Sequence, residues 1–242
     1  IDSTIITGCM QQQSETAVQS YSIGFPDPKY DESAFAAEAA EHLGTKHHGM
    51  MVQPHSLDVI DKLVEHFDEP FADSSAVPTY YLAELTRQHV TVAMTGDGGD
   101  ELFCGYDRYP TVDRMKRFDS LPKAIRGLLA GPWVGLIPGQ NEKSFGRRLR
   151  HRLETLRRPL DQRYLNWASG SPPAMRNQLY RKEFADSLDG SISEAFVSKI
   201  MAATSCMTPG IRAMRTDSDS YLPCDLLAKV DITSMAHSLE CR

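Results

Sequence analysis

The sequence predicts an α/β protein with a parallel, twisted sheet, helices on both faces of that sheet, and an additional all-α portion. Short segments rich in β-branched and aromatic residues recur in the first 105 residues, and segments with helical periodicity separate them. Strands that alternate with helices in this way form βαβ units, so we expect the strands to run parallel. Between residues 111 and 205 strand signals are weak and prolines interrupt helical patterns, which predicts helices packed on the sheet.

The elements of the first part follow in order. A helix opens at residues 5–11, and AVQSYSIGF at 17–25 is typical of a buried strand, which a proline-rich turn ends. The next helix is capped by Asp31 or Ser33 and stops at Gly44, because glycine readily adopts the left-handed conformation that terminates helices. The remaining elements are a strand at 45–52, helices at 56–67 and 79–89, and a strand at 90–94.

Composition excludes several classes of protein. Hydrophobic residues make up 41% and charged residues 24%, which is typical of a folded globular chain and not of a disordered one. Five cysteines without a C-x-x-C pair indicate neither a disulfide framework nor a structural zinc site, and predict reduced, mostly buried thiols. No apolar run approaches the roughly 20 residues that cross a bilayer, and no secretory signal is seen. We therefore expect a cytoplasmic protein without a membrane partner.

Charge is distributed unevenly along the chain. Residues 1–110 carry 5 basic and 18 acidic side chains, residues 111–182 carry 16 and 5, and residues 183–242 carry 5 and 9. The basic middle suggests a nucleic-acid surface, but its arginines fall at helical spacing among Phe145, Leu149 and Leu153, which is typical of an amphipathic helix with a solvated charged face. Without a nucleic-acid-reading motif, a nucleic-acid partner is not expected.

The most informative segment runs from the strand at 90–94 into Thr95–Glu101, here called the acidic loop. It is placed at the carboxyl end of a parallel strand, where α/β folds bind ligands. Its glycines allow a ligand close to the backbone, which suits a phosphate, yet three carboxylates in seven residues would repel a bare polyphosphate. The loop therefore predicts a nucleotide site in which Mg²⁺ bridges carboxylate and phosphate oxygens. The simpler interpretation is a turn whose acids cap the next helix.

The first residues, Ile1 to Thr4, stand directly before a helix and taken alone indicate only an N-terminal cap. No strand precedes that helix, although the pattern requires one at the centre of the sheet. We therefore expect the sequence to begin just past a functional loop.

Four segments together resemble the synthetase domain of glutamine-dependent, class B asparagine synthetases and their β-lactam synthetase relatives. Residues 1–3 are similar to the end of that family's pyrophosphate loop, Ser-Gly-Gly-x-Asp-Ser, and YSIGF at 21–25 is similar to its second strand. TGDGGDELFCGY at 95–106 resembles its second nucleotide motif, and YLPCDLLAKVDITSMAHSLECR at 221–242 resembles a further family segment. The resemblance covers most of residues 1–110 and 215–242.

The resemblance implies a pyrophosphate-loop ATPase fold of the adenine nucleotide α-hydrolase type, with a nucleotide-binding part at 1–110 and a helical part at 111–242. It also implies a reaction: ATP and a carboxylate, that of aspartate or a related acid, form an acyl-adenylate and Mg-pyrophosphate, after which ammonia displaces AMP to give asparagine or another amide. Such a step needs positioning, charge neutralisation and exclusion of water more than covalent help.

Individual roles are carried over from the family by position. Asp2 and Asp100 are implied to act on Mg²⁺ and pyrophosphate, and Ser3 to donate to a phosphate oxygen. Ile23 and Gly24 are implied to contact the adenine. Thr95 and Gly96 are implied to hold the nucleotide from its other side. Asp97 is implied to face the reaction centre as a catalytic carboxylate that orients ammonia or helps to collect its proton, although the family often has the longer glutamate there.

Weaker candidates occupy charged positions within the segments that resemble the family. They are Glu101, Lys229, Glu240 and Arg242. Lys229 and Asp231 lie on different faces of one helix, where packing with solvated charge accounts for both.

Parts of the family pattern lie outside this sequence. They are the Ser-Gly-Gly half of the first loop, an active-site lysine beyond Arg242, and the N-terminal glutaminase domain that would supply ammonia. From the sequence alone we expect this chain by itself not to turn over, and a pyrophosphate-exchange assay with aspartate tests that expectation.

Two other functions stay open at this point. One is a related pyrophosphate-loop ligase that acts on another acid, such as a sugar carboxylate, a peptide or a β-amino acid. The other is a non-catalytic module that binds nucleotide or nucleic acid. The family commonly dimerises, which makes a homodimer a further possibility.

Overall fold

A computed structural model describes residues 1–52, 56–138, 144–169, 173–188 and 192–242, and these divide into two compact units. Unit 1 comprises Ile1–Asp100 together with Ser220–Arg242, and unit 2 comprises Glu101–Asp219. This division differs from the one drawn from the sequence at residue 110. The last 23 residues, which the sequence places in the helical part, belong with the first hundred.

The helices and strands are numbered in chain order. Those of the first part are α1 (Asp2–Gln13), β1 (Gln19–Gly24), α2 (Ser33–Leu43), β2 (Lys46–Met51), α3 (Ile60–Phe67), α4 (Ala76–Arg87), β3 (Val92–Ala93) and α5 (Gly99–Phe103). Those that follow are α6 (Arg108–Asp119), α7 (Lys123–Leu129), α8 (Phe145–Glu154), α9 (Leu160–Ala168), α10 (Pro173–Leu179), α11 (Lys182–Ser187), α12 (Ile192–Ala203), α13 (Pro209–Asp219), α14 (Leu227–Met235) and β4 (Glu240–Cys241). A π-helical turn, Leu222–Leu226, leads directly into α14.

The sheets of unit 1 are small and parallel. Strand β1 pairs with β2 in a register that places Tyr21 opposite His48, and β3 pairs with β4 through Val92 and Glu240. The described residues thus form a helix-rich α/β protein with two two-stranded parallel sheets. The parallel direction of the strands was predicted and is confirmed, whereas the pairing of β3 with the end of the chain was not foreseen.

Helix ends follow the sequence signals in part. Gly44 terminates α2 with φ of 71°, in the left-handed region where glycine has no Cβ penalty, as predicted. The predicted caps are wrong: the residue before α2 is Glu32, and no side chain caps the helix. The carboxylate of Asp31 instead accepts hydrogen bonds from the backbone N–H groups of Phe25 and Ser33, and so ties the end of β1 to the start of α2.

Two helices begin earlier than their patterns indicate. Helix α1 starts at Asp2, and α4 starts at Ala76 and contains Pro78. Proline is tolerated there because it lies in the first turn, where a backbone N–H has no intrahelical partner to lose.

The core of unit 1 joins residues that are far apart in sequence. Leu63 and Phe67 of α3 pack with Ala76 and Tyr80 of α4, and apolar side chains of α14 cover them. Helix α14 contacts α4 more extensively than any other helix. The last part of the chain is therefore required to complete this core.

The regular elements of unit 2 are helices, with no strand among its described residues, in agreement with the predicted all-α portion. Its core is built by α6, α9, α12 and α13, with Tyr109, Tyr164 and Met201 among the side chains that are almost fully buried. The arginine-rich segment forms α8, whose first turn is capped by the hydroxyl of Ser144. None of the described helices is long and apolar enough to span a membrane.

The cysteines correct one expectation from composition. All five are free thiols, as predicted, but only Cys241 is partly buried, while the other four are exposed. The residue type cysteine therefore did not indicate burial in this chain.

Candidate functional site

The acidic loop begins where β3 ends, which is the place predicted for it. The backbone N–H of Arg242 donates to the carbonyl of Ala93, and the N–H of Thr95 donates to the carbonyl of Arg242 at 2.8 Å, so β4 holds the base of the loop. The loop then turns: the N–H of Gly99 donates to the carbonyl of Gly96, and Gly98 takes a φ of 90°. Helix α5 starts at Gly99.

The structure brings the start of α1 against this loop. A Cβ atom added at Gly96 would lie 2.6 Å from both the backbone nitrogen and the Oγ of Ser3. One added at Gly99 would lie 2.7 Å from Cβ and Oδ2 of Asp2. Only glycine at these two positions allows such an approach, because any larger side chain would overlap Asp2 or Ser3.

The first turn of α1 is suited to an anion. Its N-cap is Ile1, which has no side chain that can accept a hydrogen bond, and no side chain caps the helix. The first N–H groups of a helix carry a partial positive charge and have no intrahelical acceptor. A phosphate near Ser3 would satisfy them.

The far side of the acidic loop is bordered by residues 222–242, here called the closing segment. Leu222 packs on Gly98, with its methyl carbons 3.5 and 3.6 Å from the position of an added Cβ. At the other end, the Asp97 carboxylate is near enough to Cys241 to influence that thiol. Burial raises the pKa of Cys241, a hydrogen bond with Ser234 opposes this, and the negative charges of Asp97 and Asp231 add to the rise. Asp97 itself is exposed to solvent.

The acidic loop and Asp2 offer the oxygen donors that Mg²⁺ prefers. Among the described residues there is no group of three or more His, Cys, Asp or Glu side chains that could hold a metal by themselves. Mg²⁺ typically takes one or two carboxylates and completes its coordination with water and substrate phosphates. The residues present therefore fit a magnesium ion that is shared with a nucleotide.

Ile23 and Gly24 lie at the end of β1. Gly24 is buried, and a Cβ added there would lie 2.8 Å from Asp31 and 3.1 Å from both Met51 and Ser33. Asp31 accepts hydrogen bonds from Ser33 and Phe25, and these bonds hold its pKa below the ordinary value despite partial desolvation. These close contacts and hydrogen bonds hold the end of β1 in place.

Lys229 is buried and paired, which corrects the interpretation of solvated charge. Its side chain is 8% exposed, and its ammonium group donates to Asp73 Oδ2 and to Ser75 Oγ, both at 2.7 Å. Asp231 is exposed on the other face of the helix, as predicted.

Asp73, Ser75 and Asp225 were missed by the sequence analysis. Asp73 and Ser75 lie in the irregular stretch before α4, whose sequence is typical of a break between helices and carries no further signal. A lysine in the apolar pattern of DLLAKVDITSM was the available signal, because a buried lysine requires a carboxylate partner.

The side chains of the other weak candidates are not part of the Lys229 ion pair. Glu240 and Arg242 form an exposed ion pair with each other at 2.6 Å. Glu101, the last residue of the acidic loop, is grouped with unit 2 and is 1% exposed, and neither of its carboxylate oxygens accepts a hydrogen bond from the described residues.

Comparison with known proteins identifies similar chains. The family model described as Asparagine synthase matches residues 1–242. The chain is 30% identical to asparagine synthetase [glutamine-hydrolyzing] 1 of Bacillus subtilis over 244 residues, which is 100% of this chain and 37% of that protein. It is 37% identical over 128 residues to a putative asparagine synthetase [glutamine-hydrolyzing] 2 of Methanocaldococcus jannaschii, covering 52% of this chain and 25% of that protein.

A third relative is similar along the whole chain. This is a putative asparagine synthetase [glutamine-hydrolyzing] of Mycobacterium bovis, 30% identical over 246 residues, which is 100% of this chain and 35% of the relative. The chain thus spans little more than a third of the length of the relatives that it matches from end to end.

Proposed function

This chain belongs to the asparagine synthase family, and we propose that it forms an amide at the expense of ATP, with aspartate as the acid. In the first step an oxygen of the side-chain carboxylate attacks the α-phosphorus of ATP, and pyrophosphate leaves. In the second step the nitrogen of ammonia attacks the acyl carbon, AMP leaves, and the nitrogen loses a proton to give asparagine. The pyrophosphate-loop fold is part of the same proposal.

One observation carries the proposal: the start of α1 lies against Gly96 and Gly99 of the acidic loop. This places backbone N–H groups, the hydroxyl of Ser3 and the carboxylate of Asp2 at the carboxyl end of β3. A site with both hydrogen-bond donors and carboxylates suits an anion that arrives with a divalent cation.

Each residue contributes positioning or charge. Asp2 and Asp100 would hold Mg²⁺ together with the pyrophosphate, and the ion would supply charge neutralisation for that leaving group. Ser3 donates to a phosphate oxygen, while Thr95 and Gly96 support the nucleotide from the side of β3. The adenine lies on Ile23 and Gly24, whose backbone Asp31 fixes.

Asp97 is the candidate for work on the nucleophile. It is an exposed member of the acidic loop and lies near Cys241 of β4, where an incoming ammonia could donate to its carboxylate. It would orient the nitrogen and collect the proton that the nitrogen loses.

We propose that ammonia comes from glutamine hydrolysis elsewhere in the protein that contains this chain. The names of the relatives support this source, since each is glutamine-hydrolyzing and extends well beyond the matched part.

The test is the formation of pyrophosphate and AMP by the intact protein with MgATP, aspartate and ammonia. Replacing Asp2 or Asp100 by Asn removes a carboxylate that acts where charge develops, so we expect each variant to lose about 100-fold or more in kcat. Asp61→Asn, an exposed acid of α3, is the matched control and should stay close to the wild type.

Other outcomes would redirect the proposal. A higher kcat/KM with a β-amino acid, a peptide or a sugar carboxylate than with aspartate would favour a related ligase. Salt-dependent binding of DNA or RNA without affinity for MgATP would favour a binding module. Full activity of Asp100→Asn would contradict the role of the acidic loop in either enzyme, and full activity of Asp2→Asn would contradict the role of Asp2.

A further inference from the structure

The buried ion pair of Lys229 joins two segments of unit 1. The ammonium group of Lys229, on α14, contacts Asp73 and Ser75, which precede α4. Asp73 also accepts the backbone N–H of Ser75 at 2.9 Å and its hydroxyl at 2.8 Å. The loop before α4 is therefore shaped to present one carboxylate and one hydroxyl to a single ammonium group.

The same lysine lies in the middle of the closing segment. One end of that segment contacts the acidic loop through Leu222 and Gly98, and the other end through the hydrogen bond from Thr95 to Arg242. Between these two contacts, Lys229 fixes α14 to the loop before α4. A shift of α14 along or around its axis would thus move both borders of the acidic loop.

A second carboxylate faces this pair. Asp225 lies one turn before Lys229, in the π-helical turn, and one of its oxygens is buried without a hydrogen-bond partner among the described residues. Such turns interrupt regular helical bonding and are often found at functional sites. The cluster of Asp73, Asp225 and Lys229 thus contains two carboxylates and one ammonium group, and Lys229 supplies its positive charge.

Lys229 cannot serve as a phosphate ligand in this arrangement. Its ammonium group is buried and already donates to two oxygens, and leaving them would abandon the carboxylate of Asp73 in a partly buried place.

We propose that Lys229 is a positioning residue: through its ion pair with Asp73 it sets the place of the closing segment, and thereby the geometry of the acidic loop, without contacting nucleotide or acid. This inference rests on the proposed function of the acidic loop. It assigns to Lys229, Asp73 and Asp225 a role in the rate of adenylate formation and none in the affinity for ATP.

The first experiment is a double-mutant cycle in the intact protein, with pyrophosphate release as the readout. We expect Lys229→Met and Asp73→Asn each to lower kcat about 10- to 100-fold, because small displacements of reacting groups cost that much. The KM for MgATP should change less than about twofold, since ground-state contacts are kept. The double variant should lose no more than either single variant, because both remove one shared interaction.

Two further variants serve as controls. Lys62→Met, at an exposed site on α3, makes the same change of charge and should behave as the wild type. Lys229→Arg keeps the charge and should recover most of kcat. Unfolding by urea is measured for every variant, and the rates are compared at a temperature at which all are folded.

The pH profile separates positioning from mere stability. Burial raises the pKa of Asp225, the charge of Asp73 raises it further, and Lys229 opposes both. Burial also raises the pKa of Asp73, but the hydrogen bond from Lys229 and those from Ser75 outweigh it and leave that pKa below its ordinary value. In the wild type, protonation of Asp73 at low pH breaks the ion pair, so kcat should fall there on an acid limb that belongs to Asp73. In Lys229→Met the ion pair is absent at every pH, so this acid limb should be lost, while Asp225→Asn, which keeps the ion pair, should retain it.

The proposal is overturned if Lys229→Met raises the KM for MgATP at unchanged kcat, if Asp73→Asn leaves kcat unaffected, or if the pH profile of Lys229→Met matches the wild type. Should Lys229→Met fail to fold, Lys229→Arg and Asp73→Asn still give the comparison of kcat with KM. Inactivity of the wild type with every acid would instead contradict the proposed function.

Discussion

Gly96 and Gly99 occupy the two places where the acidic loop lies against the start of α1. At the scale of the single residue, the site therefore depends on the absence of a side chain. Asp2 and Ser3 fill the space that a Cβ would take, and the loop backbone holds them at the end of β3.

A methyl group at Gly99 should separate these segments. We expect Gly99→Ala to lower kcat/KM for MgATP about 100-fold, because Asp2 must move by about an ångström. The matched control is Gly135→Ala, since a Cβ there meets nothing within 4 Å. Steady-state kinetics of the intact protein measure both, and equal rates for the two variants would contradict the close approach at Gly99.

Protonation of His48 should lower the stability of the folded chain. Its ring lies 5.1 Å from that of Tyr21 and 4.4 Å from that of His89, measured between centroids. Burial lowers the pKa of His48 below its ordinary value of 6.5, and the neighbouring His89, Lys46 and His47 lower it further. The unfolded chain therefore binds this proton at a higher pH than the folded chain does.

The stability of the folded chain should therefore depend on pH through His48. The stability associated with neutral His48 is present above pH 6.5 and declines as the pH falls from 6.5 towards the lower pKa of the folded state. We expect His48→Gln to lose less stability between pH 7.5 and 5.5 than the wild type does, and His42→Gln, at an exposed site on α2, to follow the wild type. Urea unfolding at the two pH values measures this. Identical pH dependence in the wild type and His48→Gln would rule it out.

Residue-level prediction from the sequence worked where chemistry depends on neighbours in the chain. The acidic loop could be predicted because its glycines and carboxylates lie within seven residues after one strand. The partner of Lys229 could not, because Asp73 is 156 residues away and its own surroundings resemble an ordinary turn.

At the scale of elements, Asp217 holds three helices of unit 2 together. From α13 it accepts hydrogen bonds from Arg108 and Tyr109 of α6 and from Tyr164 of α9, and it is 1% exposed. Burial raises the pKa of Tyr109 and that of Tyr164, and the negative charge of Asp217 raises both further. Both phenols therefore remain donors at any physiological pH.

Loss of this carboxylate should be costly. We expect Asp217→Asn to lower the free energy of unfolding by about 3 kcal/mol or more, because the largely buried charge of Arg108 loses the carboxylate of Asp217. The control Asp219→Asn removes only a surface ion pair with Arg215, at 2.8 Å, and should cost at most about 1 kcal/mol. Urea unfolding followed by circular dichroism compares the two, and similar losses would show that Asp217 is not the anchor.

Helices and strands could be predicted where the signal lies in neighbouring residues. They could not be predicted where an element is very short and depends on a distant partner. The end of α2 at Gly44 follows from one residue. Strand β4 has only two residues, and its place beside β3 is set by pairing across 148 positions, from Val92 to Glu240. No periodicity can be read from two residues, so this partner could not be predicted.

At the scale of the whole molecule, unit 2 is one continuous stretch, whereas unit 1 is assembled from two separate stretches. The change of sequence texture near residue 110 approximates the first boundary at residues 100 and 101. The second boundary was missed, because residues 220–242 are helical in pattern and their contacts with α3 and α4 are long-range.

This order of segments has a consequence on the ribosome. The nascent chain exposes the apolar sides of α3 and α4 first, yet the side chains of Ile232 and Ala236 that cover them are translated only after all of unit 2. At typical elongation rates the delay is on the order of ten seconds. Unit 1 therefore stays unfinished while unit 2 is translated, and its core is complete only after Ile232 and Ala236 are made.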